Sequence, residues 1–379
     1  MHHLNCRKNN QSWFKILLSL IARYNNCQSY EFLQLGYQEV MVVEIPMVNN
    51  VEEYPPTVVE ILRSLYFSED PLTSVELKDQ LARRGFSIDD RTVRYHLSNL
   101  EKDGFITRFG RKGVLLTPEG SEEARALFVF DRIGLSSMET EILITKSDLD
   151  LCSNKGKAIV NITAVQEERF DEAVSILKEV SNSNIIVSPL VAFLEGGQRI
   201  WNYRVPEGHR AILCLSSANY DVVLRRCGVH VETVATGLFR IQDHKYKGFA
   251  DIISHSGTTL SPGELLVRGG FTDVMSAVRT GRGYVTAAIK TFPSFMYETV
   301  VEAIKNCKND NISGLFELGY LMPQKYQMSI KDRTRGYMLV FGGANYFAPL
   351  VEWGITGALS IASGLFNIQD MHVPQAKIQ

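Results

Sequence analysis

The sequence predicts an α+β chain in two parts, with an α/β arrangement as the alternative for the larger part. Three observations lead there. Between Pro55 and Gly120, three short helical patterns are followed by two β-prone runs around a glycine-containing turn. Beyond residue 130, strand-like segments rich in β-branched and aromatic residues alternate with helical ones, the pattern of a mixed α/β domain. The 379 residues are 45% apolar and 22% charged with a net charge of −2, enough apolar matter for two or three cores and too little net charge for a disordered chain. The domains read as a leader over 1–54, the helix-and-hairpin module over 55–120, a connecting helix or linker over 121–145 and the mixed domain over 146–371.

Residues 1–46 caricature a signal peptide: Arg7 and Lys8 precede the apolar stretch Trp13–Ala22. Lys15 interrupts that stretch and no small-x-small cleavage site follows, so the segment reads as a loosely attached leader. Met41 and Met47 both precede the first well-patterned helix, consistent with a functional start inside the segment. No apolar run reaches the length of a membrane span. The six cysteines form no C-x-x-C pair, which argues for reduced thiols in a cytoplasmic protein rather than a disulfide scaffold or a structural zinc site.

In the module, Pro55-Pro56 precedes Val58, Val59, Ile61, Leu62 and Leu65 at helical spacing. Thr73-Ser74-Val75-Glu76 is a capping box for a second helix that stops at Gly85. Asp89 or its neighbours cap a third, in which Val93, Leu97 and Leu100 share a face. Phe105–Leu116 reads as a hairpin with a basic tip, and Thr117-Pro118-Glu119 opens a further helix. Three helices and a hairpin in this order make a winged helix-turn-helix. On a helical wheel Arg91, Tyr95, Ser98 and Lys102 lie opposite the apolar stripe, flanked by Thr92, Arg94 and Asn99. Such groups can enter a major groove, where Arg reads guanine and Asn reads adenine. Residues 91–112 hold six Lys or Arg, Arg108, Arg111 and Lys112 among them, against two acids, whereas the 57–120 module balances ten against ten. The positive charge is thus concentrated where a duplex would lie. His96 reads as a partly buried structural residue.

In the larger part, strands are expected at Ala158–Val165, Ile185–Leu194, Ala211–Leu215, Val229–Ile241, Tyr284–Phe292 and Gly336–Phe341, forming a mixed sheet. Helices are expected at Phe170–Val180, Tyr220–Cys227, Met296–Asn306 and Pro349–Leu365, and no internal repeat is apparent. Nucleophile elbows, P-loops, zinc-protease motifs and dinucleotide fingerprints are missing, so the reading is not an enzyme. His230, His244 and His255 are too irregularly spaced for metal ligands, and no metal site is expected. Ser256, Gly257, Thr258 and Thr259, followed by the capping box Ser261-Pro262-Gly263-Glu264, could cradle a carboxylate with hydroxyl and backbone donors. The turns at Arg268–Gly270 and Phe341–Asn345 could line the same cleft, and Arg279, Arg282 and Lys290 are candidate carboxylate partners. An enzyme tethered to a nucleic-acid module, or a corepressor using its winged helix for protein contact, are the competing classes.

The segment Leu72–Gly120, with Arg91–Leu97 and the wing Arg108–Lys112, resembles the winged helix of the archaeal nitrogen-regulation repressors, the NrpR family. Ile185–Pro189, Ser256–Pro262 and Val340–Asn345 carry a resemblance to that family's effector domain. The resemblance implies a repressor that binds palindromic operator DNA as a homodimer and is released by 2-oxoglutarate, with no cofactor beyond this effector. It also implies a possible second NrpR-type partner lacking the winged helix, and no membrane association. The family's cysteine ahead of small hydroxyl residues is set against Leu213–Asn219, which implies ligand contacts at Cys214 and Ser216. The family's proline is missing from Gly228–Val231. A different small carboxylate is the alternative effector.

Overall fold

The computed structural model describes residues 54–68, 70–306, 311–320 and 334–374. The chain divides between Tyr54 and Pro55, and the second unit carries every element below. The expected leader, but for Tyr54, lies outside the described residues, as do Cys6, Cys27 and Cys307. Among the described residues Cys152, Cys214 and Cys227 are free thiols, and no helix is long and apolar enough to cross a membrane.

The module forms as its start and stop signals require. Helix α1 (Pro56–Tyr66) buries Ile61, Leu62 and Leu65. Helix α2 (Ser74–Arg83) opens on the Thr73–Glu76 capping box, both halves of which are made. Helix α3 (Asp90–Lys102) is capped by Asp89, whose carboxylate accepts from the Thr92 N–H at 2.7 Å, and it buries Val93, Leu97 and Leu100. Strands β1 (Ile106–Arg108) and β2 (Val114–Leu116) pair antiparallel around a 3₁₀ turn at Gly110–Lys112. Helix α4 (Pro118–Leu127) packs back on α1, and Phe128 after it is buried beside Tyr66. Gly113, at φ 114°, is where the wing crosses the α1–α2 connection: a Cβ there would lie 2.4 Å from the Leu72 carbonyl carbon. Leu72 and Val114 exchange both backbone hydrogen bonds, so the wing is tied to the module's body.

After helix α5 (Leu135–Lys146) come β3 (Lys157–Gln166), α6 (Phe170–Val180), β4 (Val191–Leu194), the short hairpin β5 (Arg199–Ile200) and β6 (Tyr203–Arg204), β7 (His209–Leu215) and α7 (Asn219–Arg226). Then follow β8 (Glu232–Gln242), β9 (Lys245–Ser254), α8 (Pro262–Arg268), α9 (Val274–Thr280), β10 (Gly283–Pro293), α10 (Tyr297–Asn306), β11 (Leu315–Gly319), β12 (Arg335–Phe341), α11 (Ala348–Glu352) and β13 (Leu359–Asn367). Two sheets result, ordered β13-β3-β7-β4 and β11-β12-β10-β8-β9. Every named pair is antiparallel, so the expected mixed sheet is two antiparallel ones. Alternate residues of a strand enter different cores: Ile212 and Cys214 of β7 face one, Leu213 and Leu215 the other. Covering both faces is why these strands read as unbroken apolar runs.

Two expectations are overturned. The helix expected over Pro349–Leu365 is the five-residue α11 followed by strand β13, which β3 recruits as an edge partner. The stretch expected as one strand at Ile185–Leu194 is extended only over Val191–Leu194; Ile185, Ile186 and Val187 are buried in a loop.

An internal repeat is also present. Val160 pairs with Leu215 as Ala287 pairs with Phe341, and Thr163 with Ile212 as Lys290 with Met338. Each inner strand then turns through a small-small-Ala-Asn-Tyr sequence, Ser216–Tyr220 or Gly342–Tyr346. Asn219 accepts from the Ile159 N–H at 2.9 Å and donates to its carbonyl at 2.8 Å. Asn345 does the same to Thr286 at 2.8 and 2.9 Å. Tyr220 donates to the Ser313 carbonyl in the second half, and Tyr346 to the Pro189 carbonyl in the first. The repeating unit is β-α-β-β-α-β with its last strand exchanged: β8 pairs with β10, and β13 returns to β3.

Both asparagines are fully buried, so removing either amide strands backbone groups that cost about 1–3 kcal/mol each to leave unpaired. Asn345→Ala and Asn219→Ala should therefore each lower the unfolding free energy by roughly 3 kcal/mol in urea titrations. A loss under about 1 kcal/mol in either would contradict the clamp.

Candidate functional site

Two regions collect the polar chemistry. On the winged helix, burial of Val93, Leu97 and Leu100 turns the opposite side of α3 outward. Arg91, Arg94, Tyr95 and Lys102 are exposed, Tyr95 at 63%, while Thr92, Ser98 and Asn99 are half-buried. Arg108, Arg111 and Lys112 are exposed on the wing. Arg108 on β1 bonds Glu101 near the end of α3 at 2.6 Å, which sets the wing beside the helix. Arg94 is paired with Asp90 one turn earlier. Both pairs are solvent-exposed and worth little, so a phosphate can displace the carboxylate. Lys102, Arg111 and Lys112 make no ion pair among the described residues, and Arg91 makes none closer than its charge interaction with the capping Asp89. His96 is half-buried, and burial lowers its pKa.

The second region is a cavity of about 440 Å³ in the larger domain, between the two halves of the repeat. Both turns line it, with Ser216, Ser217 and Ala218 on one side and Gly342, Gly343 and Ala344 on the other. The glycines are required there: a Cβ on Gly342 would fall 2.0 Å from Thr286 Oγ1, and one on Gly343 would fall 2.5 Å from Asn161 Nδ2. The exchanged strands add Thr233, Val234 and Thr236 from β8 and Ile361 and Ala362 from β13. Helix α5 closes the wall with Ser136, Ser137, Thr140, Glu141 and Ile144. This segment, expected as part of a connector, is thus a wall of the site.

Of the residues singled out in the sequence for ligand contact, Ser256, Ser216, Ser261 and Lys290 line the cavity; Gly257, Thr258, Thr259 and Cys214 do not. Cys214 is buried in the core, its sulfur 3.6 Å from the Asn161 amide and 3.5 Å from the Gly343 carbonyl, and burial pushes its thiol pKa up. The Thr258 hydroxyl is occupied by Leu260, donating to its carbonyl at 2.8 Å. The Thr258 carbonyl instead receives the Gly134 N–H at 2.9 Å, which docks this loop on the start of α5. Ser261 does begin α8, but its side chain caps nothing and Glu264 pairs with Arg268, so the expected capping box is not made. Arg279 and Arg282 bind Glu179 and Asp243 at the surface.

Lys290 is the candidate that the fold brings inside. It is 1% exposed, ion-paired to Asp221, and donates to Thr233 Oγ1 at 2.6 Å. Asp221, 2% exposed, was not singled out by sequence, where it reads as an ordinary acid in the first turn of a short helix. Burial raises the Asp221 pKa, with Lys290 opposing. His255, bonded to Thr236 Oγ1 at 2.9 Å, is pushed down to about 4 by burial and by Lys290, so it is neutral at pH 7. Four lining hydroxyls, on Ser136, Ser137, Ser217 and Ser261, have no protein hydrogen-bond partner among the described residues. Helix α5 begins at Gly134 without a side-chain cap, which leaves its positive end facing the same space. Among the described residues no cluster of three or more His, Cys, Asp or Glu is placed to hold a metal ion.

Comparison with known proteins agrees with this division. Residues 59–124 match the ribonuclease R winged-helix domain, and residues 133–373 match the NrpR regulatory domains NRD1 and 2. The global nitrogen regulator NrpRI of Methanosarcina mazei is 27% identical over 83% of this chain and 96% of its own length. The global nitrogen regulators NrpR of Methanocaldococcus jannaschii and Methanococcus maripaludis are 26% and 24% identical over 83% of this chain. The chain spans about half the length of those two relatives (54%). A crystal structure of a nitrogen repressor-like protein from Methanococcus jannaschii shares the fold at a TM-score of 0.53 and 19% identity, over 63% of this chain and 98% of that one. With well over half its length matched to the regulatory domains, the chain belongs to the NrpR family of nitrogen regulators.

Proposed function

We propose that this chain is a DNA-binding transcriptional repressor of nitrogen-assimilation genes, which holds palindromic operators as a dimer and lets go when 2-oxoglutarate occupies the cavity. The observation that carries the reading is the position of α5. Its start follows directly on the winged helix, and one of its faces walls the cavity. The junction is anchored: Arg63 of α1 lies over the Phe128 ring at 4.6 Å and pairs with Asp131 just ahead of α5. A ligand that shifts α5 therefore reorients the winged helix.

In a dimer, two α3 helices would enter successive major grooves about 34–36 Å apart, and a change in that spacing costs both sets of base contacts at once. Release requires the ligand to bind the released geometry more tightly, so operator and ligand must weaken each other equally. The cavity's size suits a small metabolite, and its free hydroxyls and uncapped helix start suit a carboxylate. That chemistry supports 2-oxoglutarate and equally describes other small carboxylates, which ligand titration separates.

Two outcomes test the reading. Binding of the purified chain to duplex from a nitrogen-assimilation promoter should weaken steeply with salt. Lys112→Ala should reduce the slope of log affinity against log salt by about 0.9, the value of one phosphate contact. Arg91→Ala should cost about 1–3 kcal/mol if that side chain reads a guanine; an unchanged affinity and slope in both variants would remove DNA from the reading. In the second test, Ser136→Ala/Ser137→Ala should repress normally yet need about tenfold more 2-oxoglutarate for half-release, two hydrogen bonds' worth. Release at the wild-type concentration would place the effector elsewhere.

A further inference from the structure

The cavity's wall holds one lysine, and that lysine is already neutralised. Lining the same space are Asp221 and His255 from α7 and the turn after β9, Glu141 from α5, His230 just ahead of β8 and Glu232 at its start. Glu141 is paired with Arg225 at 2.8 Å and Glu232 with Arg335 at 3.2 Å. An anion entering this space meets three carboxylates and a single ammonium whose charge Asp221 has cancelled. Two of the three Lys290 N–H donors are committed, to Asp221 and Thr233, and the third has no partner among the described residues.

We propose that the Lys290–Asp221 pair reads the charge of the effector: an entering carboxylate takes the Lys290 ammonium as donor, and the released Asp221 carboxylate accepts one proton from solvent. This rests on the cavity being the effector site. The proton has a defined destination. Lys290 supplies the chief interactions that oppose burial at Asp221, against burial itself and the nearby Glu141 charge, so engaging it elsewhere favours the neutral acid. His255 is held low chiefly by burial, which a ligand filling the cavity deepens, so it stays unprotonated.

The repeat shows that the fold can do without such a pair. The positions equivalent to Lys290 and Asp221 are Thr163 and Phe347, both buried. Thr163 simply donates to the Ala358 carbonyl at 2.6 Å, and Phe347 packs in the core. A buried ion pair is a poor source of net stability compared with such packing. The pair spans the two halves, Lys290 from the second and Asp221 from the first, and it occupies only one of the two repeat-related places, the one at the cavity wall, which points to ligand rather than to scaffold.

The test is calorimetric titration of the full chain with 2-oxoglutarate, glutarate and citrate, in phosphate and in Tris, whose ionisation enthalpies differ. Net proton uptake of up to one per ligand is expected near pH 7, with affinity falling up to tenfold per unit rise in pH. Asp221→Asn should bind with no uptake. Because that variant leaves a lone buried lysine, the uncharged pair Asp221→Asn/Lys290→Met serves as the second variant. It should fold, judged by circular dichroism, and bind operator normally, yet lose at least tenfold in affinity for the anion. Binding of 2-oxoglutarate with no uptake, or undiminished binding by the uncharged pair, would overturn the proposal and leave the cavity as effector site. Uptake with glutarate or citrate but not 2-oxoglutarate would uphold the pair and change the effector. Failure of all three anions to bind would overturn both.

Discussion

The structure of the larger domain turns on a single interaction made twice. A buried asparagine closes both backbone hydrogen bonds of one residue in the neighbouring strand, Ile159 in the first half and Thr286 in the second. Each contact fixes where an inner strand ends and forces a tight turn beyond it. Because buried backbone groups must be paired, the two turns cannot drift. They stand opposite each other, and the space between them is the cavity. The polar wall is thus a by-product of how two strands are terminated.

Much of the winged helix was legible because its signals are local. Thr73 and Asp89 cap within four residues, the Val93–Leu97–Leu100 stripe has one period, and Gly113 marks a crossing. The larger domain hid what depends on distant partners. β13 is rich in small residues, so alone it reads as helix; only pairing with β3, irregular around Ala362 at φ 49°, makes it a strand. The repeat was masked because its two copies share a three-residue Ala-Asn-Tyr core and little else, while their register is a property of pairing. Lys290 looked like a surface charge because nothing near it in sequence is acidic; Asp221 meets it from another element. Ser256 and Ser216 do line the cavity, while Thr258, with equally suitable chemistry, spends its hydroxyl on the backbone of Leu260.

The two candidate surfaces differ in how they use charge. The winged helix displays cations in water, where they act at long range and are screened by salt. The cavity keeps its lysine buried and compensated, so its charge matters only to a group that reaches it. Helix α5 belongs to both, bound at one end to the module through Asp131 and Phe128 and contributing hydroxyls to the cavity along its length.

The exchange of β8 and β13 between the halves has a consequence for how such a chain can be divided. A length carrying β3 through β8 alone would leave β3 with a bare pairing edge and β8 with no strand to join. Trading final strands with an identical copy would satisfy both, in the same pairing that joins the two halves here. The covalent join between the halves is thus what lets the two walls differ, with Lys290 facing Asp221 on one side and threonine and phenylalanine filling those places on the other.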